Sequence, residues 1–276
     1  MEVKEIIAKS IMNKSNLPSV DFAINPYVGC EFGCAYCYAS FMCRFVDKKI
    51  ADWGNFVHVK INAVELLEKK LQHFKSWNSS IFFSSVTDPY QGVEAKYKLT
   101  QKLLQTLSQQ FYPGKISILT KSSLVFRDIK LFDTFRNIEV GLTITSTDDD
   151  ISRFLEFRAS NVSARLNALK KLNDAGLKTY AFIGPLLPHF SLFPEKLDAL
   201  FKAIRETGTQ EIFVEHLNMK PYILQRLKPF LEKSTKQIQD IYTQKQKVDS
   251  KIYELVKKYD FKLRLDETIQ HKKSQF

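Results

Sequence analysis

The sequence predicts an α/β fold in which parallel strands alternate with helices. Six short runs of apolar and β-branched residues recur along the 276-residue chain, and a helical pattern of apolar residues follows each of them. Short connections between such units predict right-handed crossovers and one parallel sheet. Two closures satisfy this pattern, an open doubly wound sheet or a barrel. In either closure, the reactive groups are expected at the carboxyl ends of the strands.

Each predicted element follows from a local pattern of apolar residues. The strands are predicted over Ala23–Gly29, Ser80–Val86, Lys115–Thr120, Ile138–Thr145, Leu177–Gly184 and Glu211–Leu217. The helices that follow them are predicted over about Tyr38–Phe45, Leu99–Phe111, Arg127–Phe135, Asn161–Ala175, Pro194–Thr207 and Pro221–Leu231. In the fourth of these helices, Leu166, Leu169 and Leu172 recur at three-residue spacing, which is typical of one buried face. An additional helix, Ala63–Phe74, follows the alternating run Phe56–Ile61.

The pattern changes near the C-terminus. A long amphipathic helix is predicted over about Thr235–Tyr259, followed by a short strand, Phe261–Leu265, and a polar tail, Gln270–Phe276. We therefore divide the chain into three regions: an N-terminal arm over residues 1–21, a core over residues 22–220 and a basic helical extension over residues 221–276.

The positive charge of the chain is concentrated in its last 60 residues. The 41 Lys and Arg residues outnumber the 30 Asp and Glu residues, which gives a net charge of +11. Residues 217–276 alone contain 14 basic and 7 acidic side chains. Such a region can bind phosphates through counterion release, which makes nucleic acid a candidate partner. A solvated helical face on a soluble protein explains the same charge, and the composition does not choose between the two.

Composition and patterning exclude several classes of protein. Hydrophobic residues make up 44% and charged residues 26% of the chain, which predicts a packed globular core. The longest uncharged stretch, Thr179–Pro194, contains three prolines and falls short of a membrane span. The first fifteen residues lack the apolar core of a signal peptide, so a cytoplasmic protein with no membrane partner is expected. No Gly-rich nucleotide-binding loop follows any predicted strand.

All four cysteines lie within fourteen positions, directly after the first predicted strand. Cys30, Cys34 and Cys37 are spaced C-x3-C-x2-C, and Cys43 follows six residues later. So tight a group indicates a metal or redox site in a reducing compartment. Three thiolates on one loop can hold three irons of a cubane cluster and leave the fourth iron open. The alternative is a closed zinc site with Cys43 as its fourth thiolate, although Cys43 more closely fits a small buried apolar side chain.

The C-x3-C-x2-C loop resembles the cluster motif of radical S-adenosylmethionine (SAM) enzymes. Four segments extend the likeness over roughly Asp21 to Pro188: NPYVGC…GCAYCYASF, VHVKINAVELL, SSVTDPYQGVEAKYKLT and ILTKSSLVFRD. Together these segments resemble the spore photoproduct lyase-related group. The resemblance implies a partial (β/α)6 TIM-like barrel of parallel strands with a helical C-terminal extension. It also implies a [4Fe–4S] cluster and SAM as cofactors, with an external flavodoxin- or ferredoxin-like protein as the one-electron reductant.

The resemblance also assigns roles to individual residues. Cys30, Cys34 and Cys37 become the cluster ligands, and Tyr36 takes the aromatic position that commonly touches the adenine of SAM. Lys121 follows the third predicted strand, where a cation holds the SAM carboxylate, and Ser146 follows the fourth, where a hydroxyl hydrogen-bonds SAM. Without the resemblance, Lys121 is a solvated lysine and Ser146 a turn hydroxyl.

Other polar residues also follow predicted strands, and the residues alone leave their roles open. Asp88 is expected either to orient substrate or SAM or to form an ordinary Asp-Pro turn. Tyr90 and Gln91 are expected to stack on or hydrogen-bond a base edge, with packing beneath the loop as the alternative for Tyr90. The sixth strand ends with three residues that face the cofactor or the core: Glu215, His216 and Asn218.

One position departs from the group. Spore photoproduct lyases are expected to carry a hydrogen-donating cysteine at the end of the second strand, where this chain has Ser84 and Ser85. A serine O–H is a much poorer hydrogen-atom donor than a thiol. The sequence therefore predicts a radical SAM enzyme that cleaves SAM and abstracts a hydrogen atom, rather than the repair reaction itself. DNA or RNA is the leading substrate, and a protein or a small molecule is the alternative. The alternative from another class is a non-enzymatic nucleic-acid-binding protein with a structural zinc or iron–sulfur site.

Overall fold

A sheet of eight strands forms the centre of the molecule. The computed structural model of the chain describes residues 1–187, 194–230 and 245–271. Its strands, in chain order, are β1 (Glu2–Ile6), β2 (Met12–Lys14), β3 (Phe22–Ile24), β4 (Tyr27–Val28), β5 (Phe56–Lys60), β6 (Ile81–Phe83), β7 (Ile116–Thr120), β8 (Ile138–Thr143), β9 (Lys178–Leu186), β10 (Glu211–His216) and β11 (Lys262–Leu263). The eight-stranded sheet has the order β11-β10-β9-β8-β7-β6-β3-β2.

Helices connect successive strands of this sheet. The α-helices are α1 (Ala63–Gln72), α2 (Val93–Tyr97), α3 (Leu99–Gln109), α4 (Ile129–Phe132), α5 (Asp149–Leu155), α6 (Val162–Asp174), α7 (Pro194–Glu206), α8 (Pro221–Leu227) and α9 (Lys245–Lys258). Short 3-10 helices cover Tyr38–Phe45, Ile50–Asp52, Ser123–Asp128 and Lys228–Phe230. The predicted helix over Tyr38–Phe45 is thus a 3-10 helix, and the one predicted over Arg127–Phe135 divides into a 3-10 turn followed by α4.

The order of the strands decides between the two closures that the sequence left open. β3, β6, β7, β8, β9 and β10 lie side by side in this order, and each pairs in parallel with its neighbour. A doubly wound sheet reverses its order at a switch point, whereas this order runs in one direction as in a barrel. The six-stranded parallel barrel is therefore confirmed, with β2 antiparallel at one edge and β11 parallel at the other.

A second sheet of three strands holds the start of the chain beside the barrel. β1 pairs in parallel with β5, and β4 pairs antiparallel with the other side of β5. The single strand predicted over Ala23–Gly29 is therefore wrong, since it divides into β3 in the barrel and β4 in the small sheet. Pro26 lies between them and has no N–H to donate to a ladder, which favours the break. The residue that follows the break, Tyr27, is fully buried.

The apolar faces of strands and helices meet in one core. Ile118, Val140, Ile183 and Val214 on successive barrel strands are completely buried. Leu169 and Leu172 of α6 are also completely buried and pack into that core, as their spacing predicts. The predicted long helix is described from Lys245 onwards, and its part over residues 235–244 and the tail over residues 272–276 lie outside the described residues.

A buried carboxylate joins the C-terminal strand to the barrel. Glu139 of β8 is 2% exposed and accepts hydrogen bonds from Arg264 Nη1 at 3.0 Å and Nη2 at 2.8 Å. Lys115 Nζ lies 2.9 Å from the same carboxylate. Burial works to raise the pKa of Glu139, but its bonds to Arg264 and Lys115 lower it from 4.5 to about 2. The folded state therefore strongly favours the ionised form.

Replacing Glu139 by glutamine is expected to remove part of the acid sensitivity of the fold. The folded pKa lies below the unfolded value, so the carboxylate stabilises the fold fully above pH 4.5 and loses this effect as the pH falls toward 2. The difference corresponds to about 3 kcal/mol. Urea denaturation at stepped pH should show Glu139→Gln destabilised at neutral pH and less pH-dependent than wild type below 4.5. The control is Glu206→Gln on α7, an exposed site; parallel pH curves for wild type and Glu139→Gln contradict the assignment.

Candidate active site

The three spaced cysteines lie on a loop that follows β4 at the carboxyl end of the first barrel strand. Gly29 begins this loop with φ +87°, and a Cβ there would lie 2.5 Å from the carbonyl oxygen of Phe56. Gly33 has φ +61°, and a Cβ on this residue would lie 3.2 Å from the Cα of Gly54. Only glycine combines this left-handed backbone with so close an approach. The two glycines therefore fix the loop against β5 and the turn before it.

The thiols of the loop are largely shielded from water. Cys30 and Cys34 are buried and Cys37 is half-buried, and all three are free. Burial raises the pKa of Cys34 to about 12 and that of Cys30 well above its usual range. The charges of Asp88, Cys34 and Cys37 raise the pKa of Cys30 further. Thiolates at this position need a compensating positive charge, and bound metal supplies one.

The barrel side of the cysteine loop is fixed by a buried glutamine. The Gln91 Oε1 accepts a hydrogen bond from the Glu31 N–H at 2.9 Å, and its Nε2 donates to Thr87 Oγ1 at 3.0 Å. Thr87 Oγ1 in turn donates to the Gly29 carbonyl at 2.5 Å. Gln91 is completely buried, so it holds the loop and is not free to read a base edge. Tyr90 is likewise fully buried, with its hydroxyl 3.0 Å from Asp128.

Two arginines hold the loop from its other side. Arg226 of α8 donates to the carbonyls of Gly33 at 3.2 Å and Cys34 at 3.3 Å. Arg158 donates to the carbonyls of Glu31 at 3.3 Å and Gly54 at 2.6 Å. Both arginines lie far along the chain from the cysteines, and no local motif marks them. Sequence reasoning therefore missed them.

Tyr36 lies between the cysteines and a buried ion pair. Its hydroxyl donates to Glu156, which is 1% exposed and is paired with the fully buried Arg165. Thr145 and Ser152 donate to the same carboxylate at 3.1 and 2.8 Å. Burial opposes ionisation of Glu156, but Arg165 and then Lys121 hold its pKa below the usual range. This network fixes the tyrosine ring near the end of β8. Sequence reasoning missed Glu156 and Arg165, because no local motif marks either residue.

Lys121 reaches the same ring from the end of β7. Its Nζ lies 5.7 Å from the centroid of the Tyr36 ring, within the range of a cation–π contact. Burial disfavours the ammonium, yet the charges of Cys34 and Glu156 raise the pKa of Lys121 overall. The lysine is half-buried beside the cysteines rather than solvated. The strand-end position thus brings its charge to the cysteine loop, as the sequence predicts.

Asp88 connects the ends of β6 and β7. Its carboxylate accepts hydrogen bonds from Thr120 Oγ1 at 2.6 Å, the Lys121 N–H at 2.8 Å and the Tyr90 N–H at 2.9 Å. It is 7% exposed, and burial raises its pKa in spite of these donors. Asp88 therefore orders the strand end that bears Lys121.

Two serines occupy further strand ends. Ser146 lies beyond β8 and is 2% exposed, and its hydroxyl accepts a hydrogen bond from the Asp148 N–H at 3.0 Å. Ser84 follows β6 with φ +63° and is also buried. Within the described residues, the Ser84 hydroxyl has no hydrogen-bond partner. Each hydroxyl thus lies at the carboxyl edge of the barrel, with Ser146 engaged in a turn.

The end of the last barrel strand connects to the C-terminal region instead of to the cysteines. His216 Nε2 lies 2.7 Å from Asp249, and Glu215 lies 3.1 Å from His271 Nε2. Asn218 Nδ2 lies 3.4 Å from His271 Nδ1. Cys43 is completely buried in its 3-10 helix, as expected of a small apolar side chain. Among the described residues, no three His, Cys, Asp or Glu side chains converge on a position for a single metal ion.

A comparison with protein families identifies this arrangement. Residues 24–192, which contain the cysteine loop and the four barrel strands β6 to β9, match the model of the radical SAM superfamily. The chain belongs to the radical SAM superfamily. Enzymes of this family use a [4Fe–4S] cluster and SAM, and these are the cofactors of this chain. The chain is therefore a radical SAM enzyme.

Relatives of this radical SAM enzyme span most of its length. An uncharacterised protein of Methanocaldococcus jannaschii is 36% identical over 247 residues, 89% of this chain and 88% of that protein. A radical SAM Nalpha-GlyT isomerase of Pseudomonas phage M6 is 23% identical over 80% of this chain and 45% of its own length. The solved structure of spore photoproduct lyase complexed with dinucleoside spore photoproduct has a TM-score of 0.65, 17% identity, and covers 84% of this chain and 67% of that one. This likeness confirms the partial TIM-like barrel.

The residues of the loop fit an iron–sulfur cluster. They offer three free thiols on one short loop, and the Lys121 ammonium lies over the Tyr36 ring of that loop. The burial that disfavours free thiolates favours a metal-bound form. Among the described residues, none of the helices has the length and apolar character that a bilayer crossing requires.

Proposed function

We propose that this radical SAM enzyme binds its cluster through Cys30, Cys34 and Cys37 and acts on a nucleic acid. The observation that carries the cluster assignment is the set of three free thiols on one loop at the carboxyl ends of the barrel strands. Three protein thiolates leave one iron of a cubane without a protein ligand. Cys30, Cys34 and Cys37 would hold the cluster, and the iron without a protein ligand would be available to bind SAM.

The side chains around the loop hold and orient SAM. When bound, the reduced cluster cleaves the sulfonium and supplies a 5′-deoxyadenosyl radical for hydrogen-atom abstraction. Lys121 pairs with the SAM carboxylate, because its ammonium is held at the loop next to Tyr36. Tyr36 contacts the adenine, and its bond to Glu156 keeps the ring from turning away. The Ser146 hydroxyl accepts a hydrogen bond from the Asp148 N–H and donates a hydrogen bond to SAM.

Nucleic acid is the substrate class that the relatives and the charge favour together. Spore photoproduct lyase binds a dinucleoside photoproduct, and the phage relative is named for its Nα-GlyT substrate. The net charge of +11 supplies attraction for phosphates. These two observations support our proposal of a lyase-like radical reaction on DNA or RNA. The free state of all four cysteines fits a cytoplasmic location.

The residues that follow β6 argue against a thiol as the hydrogen-atom donor in that reaction. Ser84 and Ser85 lie where we expect spore photoproduct lyases to carry a hydrogen-donating thiol. The Ser84 hydroxyl is buried and has no partner in the described part of the chain, but an O–H bond is too strong to serve as a ready hydrogen-atom donor. We therefore propose that the substrate radical of this enzyme is not quenched by a thiol of β6. Either SAM is regenerated or the product radical resolves in another way.

Anaerobic reconstitution with iron and sulfide tests this function. The protein should turn brown, and dithionite with SAM should yield 5′-deoxyadenosine. The substrate class is tested with perdeuterated single- and double-stranded oligonucleotides, from which deuterium should enter 5′-deoxyadenosine or SAM. A colourless protein with one zinc per chain would leave only the nucleic-acid-binding alternative. Cleavage of SAM without deuterium transfer from any oligonucleotide would retain the enzyme and remove nucleic acid as its substrate.

A further inference from the structure

The guanidinium group of Arg226 is fixed against the cysteine loop by backbone carbonyls. Its Nη2 donates to the carbonyls of Gly33 at 3.2 Å and Cys34 at 3.3 Å, and its Nη1 donates to the carbonyl of Ile50 at 2.9 Å. Gly33 and Cys34 belong to the C-x3-C-x2-C loop, whereas Arg226 belongs to α8, beyond the last barrel strand. The region after the barrel therefore brings a cation to the backbone of a proposed cluster ligand.

The Nε–H of Arg226 is presented to the same loop. A guanidinium group is planar, and its Nε–H and one N–H of Nη2 point in the same direction along one edge. Arg127 uses this edge, since its Nε and Nη2 donate to the two carboxylate oxygens of Asp128 at 2.8 and 2.7 Å. Because the Nη2 of Arg226 is bonded to the cysteine loop, the Nε–H of Arg226 is also directed toward that loop.

This Nε–H is buried and has no acceptor among the described residues. The other guanidinium nitrogens bond to carbonyls, which are neutral, so these contacts leave the positive charge of Arg226 uncompensated. A second donor of this kind is the indole N–H of Trp53, a side chain that is 3% exposed and lines the same cavity as Gly33 and Arg226. Buried donors without an acceptor are costly, and two of them beside one loop indicate a ligand with acceptor atoms.

An iron–sulfur cluster on the cysteine loop has the acceptor atoms that Arg226 requires. The sulfurs of such a cluster carry negative charge and accept hydrogen bonds. Reduction adds one more negative charge to the cluster. A hydrogen-bond donor and a positive charge beside the sulfurs therefore stabilise the reduced form more than the oxidised form, which raises the reduction potential. The half-buried position of Arg226 strengthens this effect, because water screens its charge only in part.

We propose that Arg226 raises the reduction potential of the [4Fe–4S] cluster through its positive charge and a hydrogen bond from its Nε–H to a cluster sulfur. This inference rests on the proposed cluster site. In the reduction, one electron enters the cluster from an external reductant, which is oxidised by one electron, and no atom is transferred. Arg226 thus has two tasks: its Nη2 holds the loop in place, and its Nε–H makes the cluster easier to reduce.

An EPR-monitored redox titration of the reconstituted holoenzyme tests this inference without any measurement of turnover. Arg226→Gln removes the charge and the Nε–H together. The equilibrium constant for reduction of the cluster by a fixed mediator should fall about tenfold, which lowers the midpoint potential by about 59 mV. Arg226→Lys restores the charge but not the planar edge, so it should recover part of the loss.

Arg158 provides the matched control. It also holds the cysteine loop, by donating to the carbonyls of Glu31 at 3.3 Å and Gly54 at 2.6 Å, but its side chain is exposed. Because water screens an exposed charge, Arg158→Gln should change the equilibrium constant less than about twofold. The comparison separates support of the loop, which both arginines give, from an effect on the cluster, which we expect of Arg226 alone.

A measurement on the wild-type holoenzyme does not depend on whether the variants keep the cluster. Protein labelled with ¹⁵N in its arginines alone should show, in pulsed EPR of the reduced cluster, coupling of the unpaired electron to a ¹⁵N nucleus. SAM at natural abundance contributes only ¹⁴N, so it does not produce this signal. The ¹⁵N coupling should persist in Arg158→Gln and disappear in Arg226→Lys, where no labelled arginine remains at that position.

The outcomes separate this inference from the proposed function. Wild-type protein that binds no iron–sulfur cluster overturns the proposed function itself. A wild-type cluster without ¹⁵N coupling overturns the role of Arg226 alone. An equilibrium constant that Arg226→Gln changes less than about threefold, or that Arg158→Gln lowers equally, has the same meaning and leaves Arg226 as a support of the loop. Weaker binding of SAM to Arg226→Gln at an unchanged potential also overturns it and assigns the Nε–H to SAM.

Discussion

Replacing Cys34 by alanine is expected to abolish both the iron–sulfur cluster and the reductive cleavage of SAM. Cys34 is at the centre of the C-x3-C-x2-C loop, and its backbone carbonyl is held by Arg226. Two thiolates cannot hold the cubane and leave a single iron open. Formation of 5′-deoxyadenosine should fall more than about 1000-fold, which corresponds to over about 4 kcal/mol. Iron and sulfide analysis and the visible spectrum of the reconstituted protein measure the loss of the cluster.

Cys43 supplies the matched control for this prediction. It is a buried cysteine on the helix that follows the loop, so Cys43→Ala removes a similar side chain from nearly the same place. The variant is expected to keep about four irons per chain and to cleave SAM at a rate within a few-fold of wild type. Loss of the metal in both variants, with zinc rather than iron in wild type, would support the closed four-thiolate site instead.

Replacing Glu156 by glutamine is expected to lower the free energy of unfolding by about 3–5 kcal/mol. The substitution leaves the Arg165 guanidinium fully buried without its counter-charge. An uncompensated charge in the interior is costly because the protein solvates it less well than water does. Urea denaturation of the chain in a single cluster state measures the change. The double substitution Glu156→Gln and Arg165→Met should recover part of the loss, since it removes both charges.

The chain contains a solvated ion pair for comparison. Lys170 and Asp174 lie one turn apart on α6, the helix that bears Arg165, at 3.0 Å and with both side chains more than half exposed. Asp174→Asn should change the free energy of unfolding by less than about 0.5 kcal/mol, because water screens such pairs. If Glu156→Gln and Asp174→Asn lower the free energy of unfolding by the same amount, the buried ion pair does not contribute the stability expected of it.

Much of the barrel could be predicted because its signals are local. A run of apolar residues followed by an amphipathic helix is enough to place a strand and its crossover, and Lys121 and Asp88 lie at strand ends as that pattern requires. The predicted strand bounds were wrong where a single residue interrupts or ends a strand. Pro26 divides the first predicted strand between two sheets, and the left-handed backbone of Ser84 ends β6 earlier than its apolar composition suggests.

The environment of the candidate site could not be predicted in the same way. Tyr36 and Glu156 are 120 positions apart, and Arg226 and Cys34 are 192 positions apart. Nothing in the spacing of Glu156, Arg158 or Arg226 distinguishes them from surface charges. Gln91 follows a strand end, and its position predicted a contact with a base edge of the substrate. In the structure it is fully buried against the cysteine loop.

The sequence by itself determined the kind of chemistry. The covalent spacing of Cys30, Cys34 and Cys37, with a glycine before the first and another before the second, puts three sulfurs on one short turn whatever the rest of the chain does. The tertiary structure alone decided which charged side chains surround that turn, among them Lys121 and Arg226. Long-range contacts exist only after the strands have taken their order in the barrel, since that order brings distant segments to one edge of the sheet.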